Sequence, residues 1–121
     1  MGHHCIAFDM ENAREAFGHF SGNLEVVEDY GDRCGDKYLH TWDDGYRVLF
    51  RCKACGGYLL KQSSEFHSFT GDDSLYTNFF PVSGPEEAAE LNRTYDGWEI
   101  ERQFGRRYML RDNRGAPCWS K

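Results

Sequence analysis

The sequence contains no run of apolar residues approaching the roughly 20 that a membrane-spanning helix requires. Its first residues also lack the basic segment and apolar stretch that are typical of a secretion signal. Internal repeats, low-complexity tracts and linker-like segments are absent as well. Together these absences lead us to expect one domain over residues 1–121, located in the cytoplasm and without a membrane partner.

Several signatures of enzymes are also missing. The sequence has no glycine-rich phosphate loop, no Gly-x-Gly-x-x-Gly dinucleotide motif, no His-Glu-x-x-His metal motif and no Gly-x-Ser-x-Gly nucleophile turn. Basic residues are outnumbered, with 14 Lys and Arg against 20 Asp and Glu, and the net charge of −6 disfavours general binding to a nucleic acid backbone. A basic patch would have to be local. Five arginines do cluster near the C-terminus: Arg102, Arg106, Arg107, Arg111 and Arg114.

Aromatic residues and glycines, by contrast, are abundant: aromatics make up 16% of the chain, and 13 glycines stand against three prolines. This composition favours strands joined by tight turns over a helical bundle. The periodicity of apolar residues predicts a helix over residues 9–20 and a second helix from the capping segment at 83–86 to Gly97. Strands are predicted over residues 24–30, 37–42, 46–51, 58–66, 76–82, 98–104, 108–111 and 116–119. We therefore expect an α+β domain with two helices and a mostly antiparallel sheet.

The most specific motif is the pair Cys52 and Cys55, which follows a predicted β-hairpin whose turn is residues 43–45. Two thiolates separated by two residues can bind one tetrahedral Zn²⁺, and Gly56 permits a tight turn beneath the sulfurs. A redox-active pair would need a helix that begins at the motif, whereas a strand-prone run follows it. The segment 34–58 resembles the knuckle of zinc-ribbon proteins, and this resemblance implies a structural zinc ion.

The rest of the metal site is less constrained, because the sequence has no second Cys-x-x-Cys. Cys34 lies in a glycine-flanked turn one hairpin upstream, which is where a zinc ribbon places its first ligand pair. His40 could then complete a Cys₃His set. The predicted ligands are therefore Cys34, His40, Cys52 and Cys55. The competitors of His40 for the fourth position are Cys5, His67 and Cys118.

The polar segment 62–68 supplies an alternative, which is an enzyme. Strand alternation would place Glu65 and His67 on one face of the sheet and Ser64 on the other, so these residues do not predict a serine hydrolase triad. Glu65 and His67 are nevertheless the best candidates for an acid/base pair. The alternative function is thus a small hydrolase that depends on a metal or on these two residues.

Over its whole length the chain resembles small acidic bacterial proteins that have a Cys-x-x-Cys-Gly centre, a Gln-Ser-Ser-Glu-Phe-His segment and a closing Leu-Asn-x-x-Tyr-Asp-Gly. Several such proteins resemble immunity proteins of bacterial toxin systems, which bind their partner tightly without catalysis. The resemblance implies a zinc-stabilised protein-binding domain whose acidic surface attracts a basic partner. Four protein ligands would agree with this, because they leave the zinc no open position for a substrate. A nucleic-acid-binding zinc ribbon that uses residues 102–114 is the second alternative.

Overall fold

The computed structural model describes residues 2–32, 42–66, 74–95, 97–112 and 115–120. Within these ranges the strands are β1 Leu24–Asp32, β2 Trp42–Cys52, β3 Tyr58–Phe66, β4 Ser74–Val82, β5 Met109–Asp112 and β6 Cys118–Trp119. They form one antiparallel sheet in the order β1-β2-β3-β4-β5-β6. The helices are a short 3₁₀ helix Ile6–Asp9, α1 Ala13–Ser21, α2 Pro85–Thr94 and α3 Gly97–Gln103. The predicted α+β fold with a mostly antiparallel sheet is confirmed.

The first helix begins later than predicted, because α1 has its own cap. The side chain of Asn12 accepts a hydrogen bond from the backbone N–H of Glu15 at 3.0 Å, which satisfies one of the free donors at the helix start. Asp9, at which the predicted helix begins, instead ends the 3₁₀ helix. Ala16 and Phe20 of α1 are fully buried and define its inner face.

The hairpin turn predicted at residues 43–45 is wrong, since β2 is one strand that continues through them. The pairing of β2 with β3 shifts its register between Asp43 and Tyr46, so Gly45 lies at a bulge. Bulges are a common place for a glycine inside a strand. The Asp-Gly step therefore marks an irregularity within a strand and not a reversal of the chain.

The strand predicted over residues 98–104 is also wrong, because this segment forms α3. The backbone N–H of Phe104 donates to the carbonyl of Ile100 at 2.9 Å, which is a helical hydrogen bond. Glu99 in the first turn and Arg102 in the last complement the helix dipole and so favour a helix, against the alternating apolar pattern that favours a strand. The second predicted helix ends at Thr94, so the described fold has three α-helices where two were expected.

The two faces of the sheet are covered by different helices. Leu59 and Leu60 are adjacent in β3 and both fully buried, and because strand side chains alternate they belong to opposite faces. The cluster on the α1 face contains, among others, Cys5, Phe8, Phe20, Cys52, Leu59, Phe79 and Met109. The cluster on the α2 and α3 face contains Leu49, Leu60, Phe80, Val82, Ala88 and Ile100. Among the helices described, none is both long enough and apolar enough to cross a membrane.

A row of buried polar side chains runs across the α2 and α3 face. Arg47, Gln62 and Asn78 are neighbours in the register of β2, β3 and β4, and each is at most 2% exposed. Arg47 Nε donates to Gln62 Oε1 at 2.6 Å, while its Nη1 donates to the side chain of Asn92 in α2 at 3.2 Å. Hydrogen bonds offset the high cost of burying a guanidinium, so this row fixes α2 to the sheet through polar contacts.

Candidate metal centre

Cys52 and Cys55 lie on a tight turn between β2 and β3. The backbone N–H of Cys52 donates to the carbonyl of Gly57 at 2.7 Å, and that of Gly56 donates to the carbonyl of Cys52 at 2.7 Å. Gly56 has a φ of +79°, in the left-handed region that glycine adopts without strain. The Cys-x-x-Cys pair therefore joins two antiparallel strands, as the sequence predicts.

The N-terminal segment packs directly against this turn and brings Cys5 to it. Tyr58 N donates to the carbonyl of His3 at 2.9 Å, and Cys5 N donates to the carbonyl of Tyr58 at 3.0 Å. These bonds form an isolated parallel bridge at the start of β3. A Cβ atom placed on Gly57 would lie only 2.5 Å from Cys5 Cα, so the close approach requires glycine at this position.

The end of α1 supplies His19. Asn23, just after the helix, donates its side-chain N–H to the carbonyl of His19 at 2.8 Å. The carbonyl of Asn23 in turn accepts a hydrogen bond from the backbone N–H of Lys53 at 2.8 Å. The last turn of α1 is thus joined to the Cys52–Cys55 turn by two successive hydrogen bonds.

The metal centre that results consists of Cys5, His19, Cys52 and Cys55. Their ligand atoms all lie within 4.8 Å of one another, and the Sγ atoms of Cys5 and Cys55 are 3.7 Å apart. Zn–S bonds of about 2.3 Å in a tetrahedron would place two sulfurs about 3.8 Å apart. Cys5 and Cys52 are fully buried, whereas Cys55 and His19 are partly exposed. The side chains therefore have the chemistry and the spacing to hold one metal ion.

The polar groups of the centre also fit a bound cation. His19 Nε2 is buried and finds no hydrogen-bond partner within the described part of the chain. Leaving a buried polar nitrogen unpaired costs roughly 1–3 kcal/mol, and coordination would give the imidazole a further partner. The two buried thiols beside it would also be stabilised by a nearby positive charge, because that charge favours their ionised form. A metal ion would satisfy both needs at once.

The thiols differ strongly in their acidity. Burial alone would raise the pKa of Cys55, but hydrogen bonds to His19 and to the backbone of Ile6 and Gly57 lower it to about 6. For Cys5, burial dominates and raises the pKa far above its ordinary value, and the nearby thiols of Cys52 and Cys55 add to the effect. A divalent cation supplies the charge that allows all the thiols to ionise together.

The structure brings together only two of the four predicted ligands. Cys52 and Cys55 belong to the centre, and so does Cys5, which the sequence offered as a competing fourth ligand. Cys34, His40 and His67 lie outside the described residues, while Cys118 is an exposed free thiol in β6 and is not part of the centre.

Sequence reasoning missed His19 altogether. The signal available was its position on α1, three residues after Ala16 and next to Phe20, both of which face the core. That signal could not show which end of the sheet the helix covers.

The residues of the two alternative functions can be placed in part. Glu65 lies in β3, but its side chain, like His67, is outside what the structure describes. The described carboxyl with a clearly perturbed pKa is instead Glu101 of α3: burial raises its pKa, and a hydrogen bond with Asn78 partly opposes this. Glu101 lines a cleft of about 520 Å³ together with Tyr108.

Three of the five clustered arginines are held by contacts within the protein. Arg106 pairs with Glu87 and donates to a backbone carbonyl of β4. Arg107 donates to two carbonyls of residues 8–10 at 2.7 and 2.6 Å and lies 3.9 Å from the centre of the Trp119 ring. Arg111 lies over an aromatic ring of α1. These guanidinium groups hold the α1 layer and the α2 start in place. A nucleic-acid-binding function for this cluster therefore gains no support.

No protein family model, curated protein or solved structure matches this chain. The interpretation of the centre consequently depends on its own geometry and donor chemistry. The resemblance to zinc-ribbon and immunity proteins stays a hypothesis.

Proposed function

We propose that Cys5, His19, Cys52 and Cys55 bind one structural Zn²⁺ in a non-catalytic domain that recognises a protein partner. The observation that supports this most directly is the group of four candidate ligands found among the described residues, two of them fully buried. Thiolate and imidazole donors in a tetrahedral arrangement favour zinc over magnesium, calcium or manganese. Four protein ligands occupy every coordination position, so the ion stabilises the fold and does not bind a substrate.

The zinc would join three segments that are distant in sequence: the N-terminal segment, the end of α1 and the turn between β2 and β3. Structural zinc sites in small peptides have apparent binding free energies of roughly 10 kcal/mol or more. A domain of this size has a total stability of about 5–15 kcal/mol. Zinc binding would therefore decide whether the α1 layer stays on the sheet.

The surface best suited to a protein partner is the β1 edge, which we define as the exposed residues 25–29 of β1 together with Tyr46. Among the strands that the structure describes, β1 pairs on one side only, with β2. In β1, Val26 is 60% exposed and Val27 40%, and Tyr46 of the neighbouring β2 is 43% exposed, so three large exposed apolar groups lie close together here. Three carboxylates, Glu25, Glu28 and Asp29, flank them.

The partner that fits this edge is a basic protein with apolar side chains beside its positive charges. The net charge of −6 would speed its approach, and the local carboxylates would orient it. Two bulges disturb the pairing of β1 with β2, between Val26 and Glu28 and between Asp29 and Gly31. Bulged edges resist the addition of another strand, so side chains and not backbone hydrogen bonds would carry the contact. An immunity-type role would mean that this contact neutralises the activity of the partner.

Metal analysis of the protein purified under reducing conditions without chelators tests the zinc site. We expect about one zinc per chain, and a charge-transfer band of several thiolates when cobalt replaces it. Cys5→Ser and Cys52→Ser should lose the metal, while the matched variant Cys118→Ser should keep it. If Cys34→Ser loses the metal and Cys5→Ser keeps it, the predicted ribbon ligands are the true ones. Protein that contains no zinc after this purification would refute the proposed zinc site.

Capture of partners from the source cells tests the binding surface, provided that matched baits are compared. The double variant Val26→Lys/Glu28→Lys changes the β1 edge, whereas Glu11→Lys reverses one exposed charge near the opposite edge of the sheet. A true partner should be lost with the first bait and retained with the second. With the purified partner, the double variant should raise Kd at least about tenfold at low salt, and less at high salt. Equal capture by both baits would place the interface elsewhere.

A further inference from the structure

We propose that the metal centre is also a site of reversible thiol oxidation, at which hydrogen peroxide converts Cys5 and Cys55 into a disulfide and releases the zinc. This inference rests on the proposed zinc site and extends it. The modification is specific to one pair of the three thiols. It follows from how the three differ in exposure and spacing.

Exposure selects the thiol that reacts first. Cys55 is partly exposed, on the turn that carries Gly56 and Gly57, whereas Cys5 and Cys52 have no solvent-accessible surface. Among the three thiols of the centre, Cys55 is therefore the one that peroxide in solution approaches most directly. Susceptibility of thiolates to oxidation follows this kind of access.

A direct sulfur–sulfur contact selects the thiol that reacts second. Cys55 Sγ lies 3.7 Å from Cys5 Sγ and donates a hydrogen bond toward it, so the two sulfurs are already in contact. The N-terminal segment holds Cys5 in place through its hydrogen bonds with Tyr58. A buried sulfur that touches the oxidised one is positioned to act as its resolving partner.

The reaction balances in two steps. The Cys55 thiolate attacks one oxygen of hydrogen peroxide, the O–O bond breaks, and the sulfur becomes a sulfenic acid while the other oxygen leaves as hydroxide and takes up a proton. The Cys5 thiolate then attacks this sulfur, the S–S bond forms, and the sulfenic oxygen leaves as a second hydroxide that is protonated to water. Two thiolates lose two electrons in total, and peroxide gains two. Cys52 and His19 alone no longer complete a zinc site, so the ion dissociates.

The oxidised product would keep the N-terminal segment attached, because the disulfide replaces the metal as the link between Cys5 and the turn. The end of α1 would lose its metal link and keep only the hydrogen bonds through Asn23, since His19 has no covalent partner after zinc leaves. Oxidation would thus loosen α1 while the contact of Cys5 with the turn persists. A disulfide between Cys52 and Cys55 would do the opposite and free the N-terminal segment.

The experiment treats the zinc-loaded full chain with hydrogen peroxide. A colorimetric chelator measures zinc release, a thiol assay counts the free thiols, and mass spectrometry identifies disulfide-linked peptides. We expect two thiols lost per zinc released, a Cys5–Cys55 peptide, and recovery of zinc binding after reduction with dithiothreitol and addition of zinc. Cys118→Ser should behave like the unmodified protein, because its thiol lies outside the centre.

Three outcomes would overturn this inference: a Cys52–Cys55 peptide as the main product, oxidation of Cys118 with zinc still bound, or irreversible loss of the thiols. Protein that holds one zinc and keeps it through oxidation would refute this inference alone. Protein that holds no zinc before oxidation would refute the proposed function as well, so the two failures are distinguishable.

Discussion

The substitution Gly57→Ala tests the architecture of the metal centre most directly. An added Cβ would lie 2.5 Å from Cys5 Cα and 2.6 Å from both Cys5 N and the carbonyl carbon of His4. All three are backbone atoms, so no side-chain rotation can relieve the contact and the N-terminal segment must move away. That movement would break the two hydrogen bonds with Tyr58 and withdraw a zinc ligand.

The cost of this change can be worked out from its parts. Overpacking of a tight site typically costs about 1–3 kcal/mol, and two lost hydrogen bonds add about 1 kcal/mol each, for roughly 3–5 kcal/mol in all. With an m value near 1.5 kcal/mol/M, a loss of 3 kcal/mol lowers the urea midpoint by about 2 M. If the same loss appears in metal binding, the Kd for zinc rises about 100-fold.

Urea unfolding and competition for zinc against a chelator measure both quantities. The matched control is Gly18→Ala within α1, where an added Cβ meets nothing within 4 Å and alanine favours the helix by about 1 kcal/mol. A Gly57→Ala protein with unchanged zinc affinity and midpoint would refute the placement of the N-terminal segment against the turn.

Three further predictions concern the layers around the centre. Removal of zinc with a chelator should increase amide hydrogen exchange in α1 far more than in α2, and equal increases in both helices would contradict the proposed role of the ion. Glu101→Gln should flatten the pH dependence of stability. The raised pKa of Glu101 means that the folded state binds this proton more tightly than the unfolded state does, so the unmodified protein loses stability as the pH rises through that pKa. Urea midpoints between pH 4 and pH 8 that change equally in both proteins would exclude this effect. Arg107→Ala should lower the free energy of unfolding by about 2–3 kcal/mol, because two hydrogen bonds and the contact with Trp119 disappear. A melting temperature equal to that of the control variant Arg102→Ala would contradict this prediction.

Local chemistry explains what the sequence predicted well. The strand-forming runs at 58–66 and 76–82 and the cysteine spacing at 52 and 55 are properties of short segments, and both appear in the structure as expected. The segment 98–104 shows the limit of such patterns, because its alternating apolar residues suit a strand while its charges suit a helix. The burial of Ile100 against the sheet is compatible with a helix or a strand, so only the packing of the whole fold decides which of the two this segment forms.

The other two residues of the candidate metal centre left weaker signals, since Cys5 was only one of several competing ligands and His19 was not predicted at all. Cys5 and His19 reach the turn because the N-terminal segment pairs with Tyr58 and because α1 lies on that end of the sheet. Both facts are long-range, and neither leaves a spacing motif in the sequence. Cys34 lies outside the described residues, so its part in the ligand set stays a prediction.

The proposed zinc site and the proposed binding edge are coupled through the sheet. Cys52 pairs with Leu24, the first residue of β1, so a metal that fixes Cys52 also fixes where β1 begins. The hydrogen bond from Lys53 to Asn23 reinforces the same point of the chain. Because a one-residue slip would turn Val26 and Asp29 to the opposite face, the register set here determines which side chains the edge presents. A structural ion would in this way control recognition without being part of the edge that contacts the partner.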